Sequence, residues 1–285
     1  MKRLRNWLLF LIVILFWSSN WTVMKIGLRY ADPLTFVFHR FLISALTLLP
    51  ALIVLSGKIP RRRGDLANLL FISVINALGI LSTNTGLAYE KSGLSAVITY
   101  TQPIFVFCMA VPFLKEKASM SRIIGVSMGF LGVSIISLTR GASLGDSMEP
   151  ILLLLLGAFL WAVTTIYYKK SLSHVDPVIT NLFQMGLGSI LIGLASAIHG
   201  EAAFPASTEY LFAILYASVA SSTVAFTIWI YLLREEEATV LSSSALTIPM
   251  VALIFGWLFL GETIRPQAHI GALLIILGVY LVNRR

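Results

Sequence analysis

Ten apolar stretches of about twenty residues follow one another along the chain of 285 residues. Each is long enough to cross the ~30 Å hydrocarbon core of a bilayer as a helix. Because lipid offers no partners to open backbone groups, helices are the elements that such stretches form there. The predicted spans are 7–27, 34–55, 66–88, 93–114, 121–139, 149–169, 178–199, 209–232, 238–260 and 267–283. The sequence therefore predicts an all-α polytopic membrane protein with ten transmembrane helices in the lipid bilayer.

The placement of the charged residues predicts the topology. Charged residues make up only 12% of the chain and the net charge is +8, whereas soluble domains carry about 25% charged residues. With a cytoplasmic N-terminus, fifteen lysines and arginines fall in the inside segments and five in the outside segments, which is the positive-inside pattern. We therefore expect a bacterial or archaeal-type plasma membrane protein with both termini cytoplasmic. The excess of basic residues is explained by the topology, so no nucleic-acid partner is expected.

The chain contains an internal repeat. Trp17, Lys25 and Asp32-Pro33 recur 144 residues later, and further matches, among them Pro103, recur at an offset of 146. The second members of these pairs are Trp161, Lys169, Asp176-Pro177 and Pro249. We predict two five-helix repeats, 1–140 and 149–285, joined by a connector at 141–148. Five crossings per repeat invert the second repeat in the membrane, an arrangement typical of secondary transporters that bind solute at the midplane between the halves.

Several blocks resemble a known family. They are "FWSSNWTVMKIGL", Arg40-Phe41, and the paired blocks that begin "SGLSAVITYTQPIF" and "EATVLSSSALTIPM". Together they are similar to the EamA-type transporters of the drug/metabolite transporter superfamily, over nearly the whole chain. The resemblance implies a central cavity and the export or exchange of amino acids or related small metabolites by alternating access. The "LREEEA" stretch before span nine departs from the family pattern.

Two tryptophans at matched repeat positions are predicted to line the cavity. Trp17 and Trp161 each lie about ten residues into their spans, near the midplane at 1.5 Å per residue. Aromatic residues that anchor a protein at the interface lie at the span edges instead. The alternative is that the two rings fill space between helices. Asn20, Trp21 and Tyr168 share their neighbourhood and are added to the candidate site.

Polar residues inside the third span are a second candidate group. Asn76 and Asn84 carry amides that are unfavourable in hydrocarbon unless they find partners. Ser222 is the repeat counterpart of Asn76, so a second polar stripe is expected to face the same space. The alternative is ordinary hydrogen bonding between helices.

Spans four and nine each contain a central proline. A proline removes one backbone hydrogen bond and loosens the preceding turn, so we predict gating hinges at Pro103 and Pro249. Tyr100 and Gln102 flank the first hinge and are predicted to contact solute. The alternative is that membrane helices simply tolerate proline at these positions.

His39 and Arg40 place a cation roughly 9 Å below the outer end of span two. A charge at such depth is unfavourable and normally faces the bundle interior or water. We predict that Arg40 binds an anionic group of the solute, and that its repeat counterpart Gln184 offers a neutral contact from the other side. The alternatives are snorkelling of Arg40 to the phosphates and a neutral hydrogen-bonding role for His39.

Other functions are less well supported by the residues. The chain has no G-x-x-x-x-G-K-[ST] loop and no metal-ligand spacing, so no cofactor or metal is expected. The carboxylates lie at span ends, which argues against a membrane-embedded enzyme. Glycines in spans five and ten predict close helix packing, with a homodimer face as an alternative. We predict a secondary transporter of a small-molecule solute; the alternative is a channel or a lipid-translocating membrane protein.

Overall fold

Every element of the computed structural model is helical or a turn. The structure describes residues 2–117, 119–138, 148–199, 203–262 and 266–283, and no strand occurs in these ranges. Two segments have the wider turns of a π-helix: Tyr168–Leu172 continues α8, and Tyr216–Ala225 joins α10 to α11. The α-helices are α1 (Lys2–Gly27), α2 (Pro33–Leu48), α3 (Ala51–Leu55), α4 (Arg63–Tyr89), α5 (Ser92–Thr99), α6 (Gln102–Leu114), α7 (Met120–Leu138), α8 (Glu149–Tyr167), α9 (Pro177–His199), α10 (Thr208–Leu215), α11 (Phe226–Glu235), α12 (Ala238–Ser244), α13 (Thr247–Leu260) and α14 (Pro266–Asn283).

The helices identify a multi-pass membrane protein. Among the described residues, seven helical stretches are long and apolar enough to cross a bilayer, and the bent pair Pro33–Leu48 and Ala51–Lys58 makes an eighth. Met120–Gly132 and His269–Gly278 are shorter apolar helical stretches. By length and composition, the described residues therefore contain seven candidate spans, or eight with the bent pair, against the ten that the sequence predicts.

The predicted second span is not straight. Its two parts meet at an angle of 53°, between Leu48 at the end of α2 and Ala51 at the start of α3. Pro50 lies in the break, and a proline has no N–H to donate and clashes with the carbonyl four residues before it. The continuous helix predicted over 34–55 is therefore interrupted at this residue.

Two lysines at matched repeat positions cap helix ends. The Lys25 Nζ donates to the carbonyls of Leu87 and Ala88, both at 2.8 Å, at the end of α4. The Lys169 Nζ donates to the carbonyl of Leu233 at 2.8 Å and to two carbonyls close after it, at the end of α11. Unpaired carbonyls give a helix C-terminus a partial negative charge. Each lysine therefore stabilises the third predicted span of its own repeat.

Two glutamates cap helix starts across the repeats. The Glu262 carboxylate, after α13, accepts from the backbone N–H groups of Ser92 at 2.7 Å and Gly93 at 3.1 Å. Its repeat counterpart Glu116, after α6, accepts from the N–H of Ala238 at 2.9 Å and from the next N–H of α12. A carboxylate at a helix N-terminus satisfies open donors and complements the helix dipole. The predicted spans four and nine are thus tied to each other at both of their ends.

We expect Glu262→Ala to lower the free energy of unfolding by about 1–2 kcal/mol, because two N–H groups at the start of α5 lose their acceptor. Thermal unfolding of the detergent-solubilised protein measures the change. Glu209→Ala is the matched control, because among the described residues that carboxylate accepts only local bonds, from Ser207 and from its own backbone. Equal melting temperatures for the two variants would contradict the capping role of Glu262.

The glycines of the predicted spans five and ten pack α7 against α14. A side chain at Gly278 would collide with the backbone carbonyl of Gly125. Such small residues allow two helix backbones to approach closely. These glycines therefore form a contact within one chain.

Candidate functional site

A cavity of about 670 Å3, including its open mouth, lies between α1, α2, α4, α5, α8 and the π-helical segment Tyr216–Ala225. Eight of the residues predicted for the site line it. They are Trp17, Asn20, Trp21, Arg40, Asn76, Asn84, Tyr100 and Trp161. The structure thus brings together, from four helices and the break after α5, residues that are up to 144 positions apart in the sequence.

Aromatic rings form one end of this cavity. The ring centroids of Trp17 and Trp161 are 5.5 Å apart in an edge-to-face arrangement. Trp229 lies behind them, 5.2 Å from Trp17 and 5.7 Å from Trp161, and it is buried. Tyr100 contacts Trp161 edge to face at 5.4 Å. Such ring pairs gain about 0.5–1.5 kcal/mol beyond their buried area, so the cluster is a firm apolar surface for a solute.

We expect Trp161→Ala to weaken solute binding about tenfold, because one face of this apolar surface is lost. Equilibrium binding to the purified protein measures the loss. Trp257→Ala is the control, since Trp257 is 60% exposed on the outside of α13. If Trp17→Ala and Trp161→Ala both bind like Trp257→Ala, the two tryptophans only fill space between helices.

Arg40 presents a buried positive charge at the cavity wall. Its side chain is only 7% exposed. Its Nε donates to the Ser222 hydroxyl at 2.6 Å, its Nη2 to the Ser221 hydroxyl at 3.3 Å, and its Nη1 to the thioether sulfur of Met24 at 3.1 Å. These partners are neutral. Within the described ranges no carboxylate forms an ion pair with Arg40, so the guanidinium keeps the capacity to bind an anion.

Acceptor groups lie elsewhere on the same wall. The amide of Asn84 donates through Nδ2 to the Ile80 carbonyl at 2.8 Å, which leaves its Oδ1 as the open acceptor. In the part of the chain that the structure describes, this Oδ1, the Thr99 hydroxyl and the Asn20 Oδ1 have no hydrogen-bond partner although all three are buried. Buried polar atoms normally find a partner. The cavity therefore offers acceptors to a donor group of a solute.

Five of the predicted site residues do not line the cavity. Ser222 reaches it only through its bond to Arg40. Other predicted residues have partners between helices: the His39 Nδ1 contacts the Tyr210 hydroxyl at 2.7 Å, and the Gln102 Nε2 donates to the hydroxyls of Thr165 and Ser242. The five are His39, Gln102, Tyr168, Gln184 and Ser222, and all of them are buried.

The two members of some repeat pairs differ in whether they line the cavity. Arg40 and Met24 line it. Their repeat counterparts, Gln184 and Tyr168, are 1% and 2% exposed and lie outside its wall. The contact predicted for Gln184 from the other side is therefore not present in this structure. The two halves are related in sequence, yet only Arg40 and Met24 of these two pairs line the cavity.

Both central prolines lie directly after breaks in their helices. The helix α5 ends at Thr99 and α6 begins at Gln102, with Pro103 as its second residue. The helix α12 ends at Ser244 and α13 begins at Thr247, with Pro249 as its third residue. Tyr100 lies in the first break and also lines the cavity. The structure thus places the first break at the cavity; the hinge roles stay predictions.

Several lining residues escaped the sequence-based prediction. Ser221 lines the cavity as part of the serine stripe Ser218, Ser221 and Ser222 that the sequence predicted to face it, although only Ser222 was put forward as a site residue. The Thr99 hydroxyl lies next to Tyr100, at the break between α5 and α6. The hinge predicted at Pro103 was the signal that could have found it. Gly157 offers no chemical signal, yet a side chain there would meet the Thr83 hydroxyl, so the glycine is what lets α8 approach α4.

Among the described residues no group of His, Cys, Asp or Glu could hold a metal ion.

Comparison with known proteins identifies the relatives of this chain. The sequence profile of the EamA-like transporter family matches residues 5–138 and again residues 148–284. The "Uncharacterized transporter YoaV" of Bacillus subtilis (strain 168) is 28% identical over 278 residues, covering 94% of this chain and 93% of that protein. The "Uncharacterized inner membrane transporter YedA" of Escherichia coli (strain K12) is 28% identical over 273 residues, covering 94% and 87%.

A solved crystal structure has the same fold. It superposes with a TM-score of 0.77 and covers 97% of this chain and 96% of its own. The sequence identity is 15%, so the likeness concerns the fold alone.

Proposed function

The chain belongs to the EamA-like transporter family, and we propose that it is a secondary transporter of small amphipathic metabolites that carry a carboxylate, amino acids foremost. The proposed class of solute rests on one observation. Arg40 is buried at the cavity wall, is bonded to neutral partners, and has no carboxylate partner among the described residues. A guanidinium in such a place favours a planar anion that can accept two bonds.

The rest of the wall supports a solute with three parts. Arg40 binds the carboxylate. The open acceptors of Asn84, Thr99 and Asn20 suit a primary ammonium group, which brings three donors. The tryptophan cluster suits an apolar or aromatic side chain. A cationic drug without an anionic group would meet the uncompensated charge of Arg40 and is not favoured.

We further propose that transport follows alternating access between two inverted five-helix repeats, 1–140 and 149–285, that together cross the membrane ten times. The double match of the family profile supports the two repeats. The cross-repeat caps made by Glu116 and Glu262 support their pseudo-symmetry. The open mouth of the cavity supports a transporter that is open to one side. Both termini are cytoplasmic in this proposal, and the direction is export or exchange.

Counterflow in proteoliposomes tests the proposed function. Vesicles loaded with unlabelled leucine or phenylalanine are expected to accumulate the labelled amino acid transiently and saturably. A channel would equilibrate the label without a transient excess, and a lipid-translocating protein would move labelled lipid instead. Either of those outcomes would replace the proposal by the corresponding alternative. If saturable counterflow is equal for leucine and leucinamide, the carboxylate has no role in recognition of the solute.

A further inference from the structure

We infer that Asn181, a buried residue outside the cavity, positions the anion-binding group Arg40 by holding the π-helical segment Tyr216–Ala225 in its wide-turned form. The inference rests on the proposed function for what Arg40 binds, but its main test needs no solute. Asn181 lies in α9, has no exposed surface and does not line the cavity. It acts through other residues and touches no solute.

The first step is the contact between Asn181 and the segment. Its Nδ2 donates to the carbonyl of Ser222 at 2.8 Å, to the carbonyl of Thr223 at 3.3 Å and to the hydroxyl of Thr227 at 2.8 Å. Side chains that insert into a helix ladder are one cause of local departures from α-geometry. A single amide thus spans about one turn at the point where the π-helical segment passes into α11.

The second step is the contact between the segment and Arg40. The Ser221 and Ser222 hydroxyls both accept from the guanidinium. A wide turn holds one more residue than an α-helical turn, and each residue of an α-helix turns about 100° around the axis. If the segment became a regular α-helix, one of the two serine hydroxyls would therefore turn away from the guanidinium. The backbone form of the segment therefore decides whether both serines can hold Arg40.

The repeat supplies an internal comparison. The counterpart of Asn181, 144 residues earlier, is Val37, which is buried and has no side-chain donor. The counterpart of the π-helical segment, 146 residues earlier, is 70–79, which lies within the regular helix α4. The second half, which has Asn181, has wide turns in this segment, and the first half, which has Val37, has a regular α-helix at the equivalent place. π-Helical turns are rare and are often found at functional sites.

Modification of Arg40 by phenylglyoxal, located by mass spectrometry of its peptide, tests the inference. In Asn181→Val, which copies the first repeat, we expect Arg40 to react several-fold faster than in the wild type, because the serines no longer hold it. Asn181→Gln keeps an amide donor and is expected to stay close to the wild-type rate. Ser189→Ala is the control, since it removes a different buried polar group of α9, a hydroxyl that bonds only within its own helix among the described residues.

Unchanged labelling of Arg40 in folded Asn181→Val overturns the inference whatever the solute is. If that variant does not insert, Asn181→Thr carries the same test, because its shorter side chain has one donor. Binding of leucine and leucinamide gives a second readout: the preference for the carboxylate is expected to fall about tenfold in Asn181→Val. Equal loss for both ligands would mean a merely structural role. If the wild-type protein does not prefer leucine to leucinamide, the proposed function is contradicted. The labelling of Arg40 then decides the inference by itself.

Discussion

Arg40→Gln is expected to weaken binding of a carboxylate-bearing solute about 100-fold. Losing one partner of a buried charge-assisted pair removes about 2–5 kcal/mol, and 1.4 kcal/mol corresponds to tenfold. The variant also places in the first repeat the residue that the second repeat carries at Gln184. Equilibrium binding of leucine to purified protein measures the effect. Arg40→Lys is expected to lose about tenfold, because an ammonium keeps the charge and lacks the planar fork.

Arg29→Gln is the matched control for this prediction, because Arg29 is an exposed arginine just after the end of α1. It should bind like the wild type. The carboxamide analogue should lose little affinity in Arg40→Gln, since it has no carboxylate for the guanidinium to hold. Normal binding of leucine to folded Arg40→Gln would show that the arginine serves only the packing of α2 against the π-helical segment.

Pro103→Ala is expected to slow transport about tenfold while equilibrium binding stays within about twofold. Restoring an N–H at this position allows α5 and α6 to join into one helix, which opposes the bending that a change of access would need. At present the Thr101 N–H donates to Ile98 and the Ile104 N–H to Thr101, so tighter turns lie on both sides of the break. The initial rate of counterflow per folded protein measures the effect.

Pro112→Ala provides the comparison, because Pro112 is a second proline inside the same helix α6 and is exposed. It should leave the rate unchanged. Pro249→Ala should resemble Pro103→Ala, since it lies after the corresponding break in the second half. Wild-type turnover in both Pro103→Ala and Pro249→Ala would leave the two breaks without a role in gating.

The sequence predicted well what depends on composition. Apolar length determined the helices, because only helices satisfy backbone groups in lipid. The repeat register paired Lys25 with Lys169 and Glu116 with Glu262 before their contacts were known. The sequence also placed these glutamates at span ends, and it was silent on what they bind there. Their acceptor role depends on α5 and α12 starting beside them, which only tertiary packing arranges.

The tertiary structure decided which member of the pair Arg40 and Gln184 faces the cavity. The two residues occupy equivalent positions in the sequence and both are buried, yet only Arg40 lines the wall. The π-helical segment Tyr216–Ala225 was likewise beyond prediction, since it depends on a side chain of α9 that meets it across 41 residues of sequence. A one-dimensional pattern records hydrophobicity and spacing. Which residues of a repeat pair face the cavity depends on contacts between helices, and only the folded chain determines those.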